Sequence, residues 1–348
     1  MKYITILSLS FAFISCLKND SSESTSKQNI SKVITTKAFT AKQEFDNLVE
    51  DKPALTMGYD RTLGMDFTWN TKHLDKFGNI IYQEDLNLND KGEQEVYRKI
   101  TKEYFDPEQR KLSRIFDESK IYGKTEEKYV RNDQGQLQEI LKTRNEKLDE
   151  KTVYTYNEVG QRTKRELFKE AGIYEINLYI YDSPSLTDGN VKQETHKVFG
   201  DDGYTEELEY ERTKDNKILK LRRKYFENEK LQSDVTTSYT AFIKDFPTME
   251  VREGYDSPTT YTDGTVIQSE PYRMTTKYAL NDNGDIIEYK SIVERLTKAE
   301  KRSVFDFDLI TIYKCDYTYN ENKDWIKLIF SPEPKIKYII SRDIKYLD

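Results

Sequence analysis

The segment Tyr154-Thr155-Tyr156-Asn157-Glu158-Val159-Gly160-Gln161-Arg162 decides the fold. Aromatic residues at alternate positions precede an Asn-x-x-Gly tetrapeptide, as in a strand that leads into a turn. An Asn side chain hydrogen-bonds to the backbone of a turn, and Gly accepts a positive φ because it has no Cβ to clash. The segment therefore predicts two antiparallel strands that are joined by a tight turn.

The same outline recurs along most of the chain. Further copies of the turn are centred on Gly78, Gly92, Gly135 and Gly284. Gly160 follows Gly135 by 25 residues, a spacing that fits two strands and their connections. We expect a positive φ at all five glycines. The repeat predicts an all-β array over residues 61–348, built as an antiparallel meander of β-hairpins in an open or spiralled sheet.

The repeat resembles the YD repeat of Rhs-type proteins, whose units run Tyr-x-Tyr-Asp-x-x-Gly. The copy that begins at Tyr154 is the best match, with Asn157 in place of the more usual Asp. The chain is also similar to small repeat lipoproteins of Bacteroidota that have no assigned activity. In the Rhs-type family, long hairpin arrays spiral into a shell or form an extracellular scaffold. The resemblance thus implies a hairpin array outside the cytoplasm.

The N-terminal sequence predicts localisation to the cell envelope. Residues 4–14 are largely apolar and too few to span a bilayer, which takes about 20 residues, so residues 1–15 are read as a signal peptide. Phe13-Ile14-Ser15-Cys16 resembles a bacterial lipobox, which implies lipidation of Cys16. The alternative is a plain signal peptide with an incidental cysteine. We expect a lipid-anchored protein of the bacterial outer membrane that faces the periplasm or the cell surface.

Three segments depart from the repeat. Residues 16–37 are rich in Ser, Thr, Asn and Lys and predict a disordered tether behind the lipid. Residues 38–60 predict a short helical cap, because Phe45, Leu48 and Val49 have helical spacing. Residues 241–276 carry three prolines and no copy of the repeat, and they predict an irregular excursion.

Aromatic side chains make this excursion the candidate binding segment. Aromatic residues on a loop that prolines stiffen are typical of recognition surfaces. The candidate binding residues are Phe242, Phe246, Tyr255, Tyr261 and Tyr272. The alternative is that these rings fold back and cover the open end of the sheet.

Composition excludes several classes of function. A net charge of −7 argues against a nucleic-acid partner. His73 and His196 are far apart in sequence, and with two cysteines in the chain no metal or cofactor site is predicted. Cys315 is expected to be a small buried hydrophobe in a strand. No two of the 62 acidic residues stand out, so no catalytic residue is predicted.

Two functions from different classes remain open. The first is a non-catalytic, envelope-anchored lipoprotein that acts as a binding or scaffold module for a protein or glycan partner. The second is a hydrolase of envelope glycan. That alternative requires a cleft with two carboxylates about 5–10 Å apart.

Overall fold

The computed structural model describes residues 30–44, 47–54, 59–60, 65–66, 68–183, 189–200, 203–257, 259–260, 266–267, 270–296, 310–333 and 336–347. The predicted signal peptide, Cys16 and residues 17–29 of the tether lie outside these ranges. The described residues form strands and turns, with no helix among them. None of the described segments is therefore a helix long and apolar enough to cross a membrane.

Within these ranges 25 strands are formed, and 21 of them belong to one antiparallel sheet. The strands are β1 (Ile30–Glu44), β2 (Asn47–Pro53), β3 (Tyr59–Asp60), β4 (Met65–Asp66), β5 (Asn70–Asp75), β6 (Ile80–Leu88), β7 (Gln94–Asp106), β8 (Lys111–Ser119), β9 (Gly123–Arg131), β10 (Leu137–Arg144), β11 (Lys147–Tyr156), β12 (Arg162–Lys169), β13 (Gly172–Tyr181), β14 (Val191–Val198), β15 (Tyr204–Arg212), β16 (Ile218–Glu227), β17 (Lys230–Ile243), β18 (Phe246–Tyr255), β19 (Thr259–Thr260), β20 (Val266–Ile267), β21 (Tyr272–Leu280), β22 (Ile286–Arg295), β23 (Ile310–Tyr319), β24 (Trp325–Glu333) and β25 (Ile336–Tyr346).

The chain divides into two compact units. The first comprises Met1–Leu112, Asp117–Tyr122 and Asp316–Asp348, and the second comprises Ser113–Phe116 and Gly123–Cys315. In the first unit, β1 pairs along one edge with β25 and along the other with β5 and then β2. Ala38 on β1 is fully buried, as are Leu328, Ile339 and Ile340 on β24 and β25. β1 is thus the central strand of this unit.

The prediction of an open or spiralled sheet is wrong. In an open meander the first strand is a free edge, but here residues 32–40 of β1 pair with the last strand, β25. Residues 30–36 of β1 also pair with β5. The first strand of the sheet, β1, is hydrogen-bonded to the last strand, β25, so the sheet is closed through β1. The physical reason is that closure satisfies backbone groups that an open edge leaves unpaired.

The prediction of a short N-terminal helix is also wrong. Residues 47–53 form β2, which pairs with residues 39–44 of β1 in an antiparallel hairpin. The helical spacing of Leu48 and Val49 is overridden because β1 is rich in Ile, Val and Thr and offers backbone partners. The tether prediction needs the same correction, because residues 30–37 belong to β1 rather than to a disordered segment.

The second unit is built from consecutive hairpins. Strands β9 to β18 pair in sequence order, and β18, β21, β22 and β23 continue the pairing. Much of the predicted excursion over residues 241–276 is regular strand, since β18 lies inside it and β21 begins within it. The break in the sheet is confined to the 256–271 connection, where β19 pairs with β20.

The recurrent turns share one hydrogen-bonding pattern. Asn132 Oδ1 accepts the backbone N–H of Gln134 at 3.1 Å and that of Gln136 at 2.9 Å. The equivalent Asp75, Asn89, Asn281 and Asn320 accept N–H groups at the same offsets. The glycine prediction is confirmed: φ is 77° at Gly78 and Gly92, 76° at Gly135, 85° at Gly160 and 89° at Gly284. The repeat therefore marks hairpin turns, as the sequence predicts.

Residues that flank these turns also link neighbouring hairpins. The Gln161 side-chain amide donates to the Ser183 carbonyl at 2.8 Å, one turn further along the second unit. The Tyr156 hydroxyl donates to the Leu137 carbonyl at 2.6 Å, and the Tyr181 hydroxyl donates to the Arg162 carbonyl at 2.9 Å. The repeated Tyr and Gln thus hold one hairpin against the next.

We predict that Asn157→Ala lowers the free energy of unfolding by about 1–2 kcal/mol. Asn157 Oδ1 accepts the Gln161 N–H at 2.8 Å, and Nδ2 donates to Gln161 Oε1 at 2.9 Å. The substitution removes the partners of the Gln161 backbone N–H and Oε1 atom, while the Gln161 bond to Ser183 remains. Gln161 is 4% exposed, so water does not readily replace the lost partners. Urea unfolding measures the loss. Asn157→Asp keeps the acceptor and should lose less, so equal losses in the two variants would contradict the capping role.

Candidate binding site

The strand register in the second unit places a row of polar side chains on one buried face. Arg165, Asn177, His196, Glu206 and Tyr225 lie directly opposite one another across β12, β13, β14, β15 and β16. Asn177 is 8% exposed and Glu206 is 4% exposed. These strands of the second unit therefore bury charged and amide groups as well as aliphatic side chains.

Two of the buried carboxylates are held in ion pairs. Glu175 is paired with Arg165, and His196 Nε2 lies 3.3 Å from its Oε1 atom. The contact with His196, followed by the charge of Arg165, lowers the pKa of the Glu175 carboxyl against the opposing effect of burial. Glu206 is paired with Arg223 on the neighbouring strand. These carboxylates have partners inside the sheet itself.

The pKa of the Glu194 carboxyl is displaced upward, whereas that of Glu175 is displaced downward. Burial raises the pKa of the Glu194 carboxyl, and the 3.0 Å hydrogen bond from Asn177 Nδ2 only partly opposes this. Glu175 and Glu194 therefore lie on adjacent strands with pKa values that are displaced in opposite directions. Such a divergence is found in acid–base pairs as well as in structural ion networks.

The opposite face of the same strands carries a concavity. Lys197, Thr205 and Phe226 lie opposite one another on β14, β15 and β16, one residue along from the buried row. Together with neighbouring residues they line a space of about 430 Å³. Tyr204, the first residue of β15, lines it as well. The Tyr204 ring itself packs against His196 and Tyr225 on the buried face, so the concavity combines the Phe226 ring with polar groups at the end of these strands.

Two tight connections shape the wall of the concavity. Asn228 and Glu229 form the two-residue turn between β16 and β17, with φ values of 48° and 62° that fit a hairpin turn. Gly203 follows the β14–β15 connection, and a Cβ there would lie 2.9 Å from the carbonyl oxygens of Val198 and Gly200. A side chain at position 203 would therefore displace the backbone that borders the site.

Exposed aromatic residues adjoin the concavity. Tyr174 is 38% exposed and Phe199 is 37% exposed, and the Phe199 N–H donates to the Tyr174 carbonyl at 2.9 Å. Lys169 Nζ lies 3.7 Å from the Tyr174 ring centroid, and Lys197 Nζ lies 5.3 Å from that of Phe199. This end of the second unit therefore presents aromatic rings that are accompanied by lysines.

The binding residues predicted from sequence are not brought together. The Phe246 ring lies 5.3 Å from that of Tyr278, near the β17–β18 turn, and Lys217 Nζ lies 5.6 Å from the nearby Phe242 ring. Tyr255 ends β18, nine residues and about 30 Å from Phe246. Tyr272 lies beside Tyr255's end of β18, opposite Gly254.

These residues consequently form two separate groups rather than one surface. Arg252 lies 5.7 Å from the Tyr272 ring centroid, and burial raises the pKa of the Tyr272 hydroxyl. Tyr261 lies outside the described residues. A role for either group in partner binding stays a prediction.

The cysteine, histidine and tryptophan residues singled out in the sequence pack against the sheet. Cys315 is 6% exposed on β23, which confirms the buried cysteine. The His73 ring meets Tyr82 edge-on at 5.2 Å. Trp69 is buried and donates its indole N–H to the Ala38 carbonyl at 2.8 Å. Within the described ranges, no three His, Cys, Asp or Glu side chains are grouped so that they could hold a metal ion.

Sequence reasoning did not identify the concavity. Its residues come from three strands, and their alternation resembles that of any other strand in the array. The available signals were Gly200 and Gly203, three residues apart, and Asn228 at the following turn. Glycines and Asn mark connections, but they do not reveal which side chains line the space between those connections.

Comparisons with known proteins leave the family open. No protein-family model matches the chain, and no curated protein sequence matches it. A crystal structure of a porin-like protein from Bacteroides uniformis is 10% identical, covers 91% of this chain and 97% of its own, and superposes with a TM-score of 0.32. The crystal structure titled TcdB2-TccC3-Cdc42 is 12% identical over 80% of this chain and 20% of its own, with a TM-score of 0.18. These TM-scores are too low to establish a shared fold, and the YD-repeat resemblance stays a prediction.

We predict opposite pH dependences for two variants of the buried row. Because the pKa of Glu194 is raised on folding, its contribution to stability is present below its unfolded pKa of about 4.5 and is lost as the pH rises through its folded value. Glu194→Gln, which resembles the protonated acid, should therefore gain in Tm relative to wild type as the pH rises above 4.5.

Glu175→Gln is the matched control on the neighbouring strand. The pKa of Glu175 is lowered, so its contribution is present above its unfolded pKa of about 4.5 and is lost as the pH falls. This variant should lose Tm at neutral pH and approach wild type in acid. Thermal unfolding monitored between about pH 2 and pH 8 measures both differences, because the Glu175 difference changes below pH 4.5 and the Glu194 difference changes above it. Parallel curves for the two variants would contradict the assigned shifts.

Proposed function

We propose that this protein is a lipid-anchored, non-catalytic binding protein of the bacterial outer membrane. The concavity on β14, β15 and β16 is the observation that carries the binding role. It places Phe226 beside Lys197, Thr205 and Asn228 on the face away from the buried row. An aromatic side chain accompanied by a few polar groups is a usual composition of a ligand site.

The anchoring part of the proposal rests on the N-terminal sequence. The apolar segment ending at Ser15-Cys16 supports lipidation, and an N-terminal cysteine with several acyl chains exceeds the two signals that stable anchoring needs. Residues 17–29 separate Cys16 from the start of β1 at Ile30. Thirteen residues reach at most about 45 Å, which would keep the first unit close to the membrane surface.

The positions of the carboxylates favour binding over catalysis. Glu175 and Glu206 are engaged with Arg165 and Arg223 on the buried face. Glu229 is the one carboxylate among the described residues that line the concavity. A glycan hydrolase uses two carboxylates across the scissile bond, so this lining fits a binding protein better.

One observation favours the hydrolase alternative. Glu175 and Glu194 have pKa values displaced in opposite directions, the pattern of a base beside an acid. A measurement of reducing ends released from purified peptidoglycan separates the two functions. Release that is lost in both Glu175→Gln and Glu194→Gln would establish the hydrolase. The binding proposal expects no release by the wild-type protein.

We predict that Cys16→Ser moves the protein from the membrane fraction to the soluble fraction. The substitution removes the acylated atom but leaves the apolar segment, so export itself should continue. Labelled fatty acid incorporation and ultracentrifugation of envelope fractions measure the change. Ser15→Ala is the control, because a small residue before the cysteine should still permit processing. A Cys16→Ser protein that stays labelled and membrane-bound would contradict lipid anchoring.

A further inference from the structure

We propose that the concavity on β14, β15 and β16 binds a saccharide. The inference rests on the proposed binding function and names the class of ligand that this site takes. The site is formed by the row of Lys197, Thr205 and Phe226, by Tyr204, and by the turn residues Asn228 and Glu229. All of these residues belong to the second unit.

The size of the space limits the ligand to a small molecule or a short segment of a chain. Its volume of about 430 Å³ is near the lower end of the 300–1,000 Å³ that is usual for ligand sites. The described lining includes the two-residue Asn228–Glu229 turn and Gly203, and these residues offer no long apolar groove. A sugar unit or two matches this volume better than a peptide strand or an acyl chain.

The Phe226 ring supplies the flat apolar surface that a sugar ring requires. Phe226 is half-buried and alternates with Tyr225, so it lies on the face away from the buried row. Tyr204 alternates with Thr205 in the same way, and its ring lies on the buried face, 5.5 Å from His196 and 5.2 Å from Tyr225 between ring centroids. Phe226 is therefore the aromatic side chain on which the saccharide would pack.

The polar groups around the Phe226 ring match the hydroxyl and amide groups of a saccharide. Thr205 and Asn228 offer both donors and acceptors, while Lys197 donates and Glu229 accepts. Among the described residues of the lining, one positive and one negative side chain give no net charge. Such a lining selects neither a strongly anionic nor a strongly cationic ligand. A neutral or singly charged saccharide satisfies both kinds of group at once.

The test measures binding of two envelope saccharides to the purified protein by calorimetry and NMR. The probes are the disaccharide of N-acetylglucosamine and N-acetylmuramic acid and the oligosaccharide released from lipopolysaccharide. We expect wild type to bind at least one of them. Phe226→Ala should weaken that binding about tenfold, as loss of one aromatic contact implies, whereas Phe226→Tyr should remain within about threefold of wild type because it keeps the ring.

A second pair of variants controls for folding. Thr205→Trp fills the concavity at an outward strand position and should abolish binding, while Trp remains favourable in a strand. Thr155→Trp makes the same change at an exposed position on β11, four strands and about 19 Å away, and should bind like wild type. Thermal unfolding of both variants verifies that the sheet is intact.

The outcomes separate this inference from the broader function. If neither saccharide binds, or if Thr155→Trp loses binding as fully as Thr205→Trp, the saccharide site is overturned. Retention of an envelope protein by the immobilised chain, with no saccharide bound, would overturn the inference and leave the proposed function standing. A Cys16→Ser protein that remains membrane-bound bears on the anchor alone and leaves the saccharide result unaffected.

Discussion

The structure depends on a side chain that caps the hairpin turn. At five turns of the described chain, an Asn or Asp accepts backbone N–H groups two and four residues ahead, and this fixes where the strand reverses. The next link is lateral, from Gln161 to the Ser183 carbonyl and from Tyr156 to the Leu137 carbonyl. Because strand register follows from the turn, the same few residues determine which side chains face which side of the sheet.

That alternation has an unusual consequence in this chain. The buried face of the second unit carries Arg165, Glu175, His196 and Glu206 rather than a continuous aliphatic layer. Such groups are tolerated inside a protein when each charge has a partner. Pairing them across neighbouring strands uses the regular spacing that the turns impose. The buried row therefore follows from the regular strand pairing of the repeat. Within it, the pKa of Glu175 is lowered and that of Glu194 is raised.

The proposed site lies where regular spacing and irregular connections meet. Lys197, Thr205 and Phe226 are placed opposite one another by ladder pairing alone. Gly203 and the Asn228–Glu229 turn border the space beside these three residues. A side chain at position 203 would displace the backbone there. The Tyr204 ring stays on the buried face, between His196 and Tyr225, while the adjacent Thr205 points to the concavity.

The sequence alone determined the class of structure and its turns. Periodicity and turn chemistry are local properties, so the strands and the positive φ at Gly160 follow from residues within a few positions. The same local reasoning failed at residues 38–60, because the partner that makes β2 a strand is β1, and β1 is in turn held by β25 and β5.

Closure of the sheet through β1 and assembly of the concavity were decided by the tertiary structure. β1 meets β25 across about 300 residues of chain, and no local pattern specifies that pairing. In the same way, nothing in the segments that carry Lys197, Thr205 and Phe226 indicates that these residues form one row. Their placement depends on strand register, which is a property of neighbouring strands, whereas turn formation depends on the residues of the turn itself.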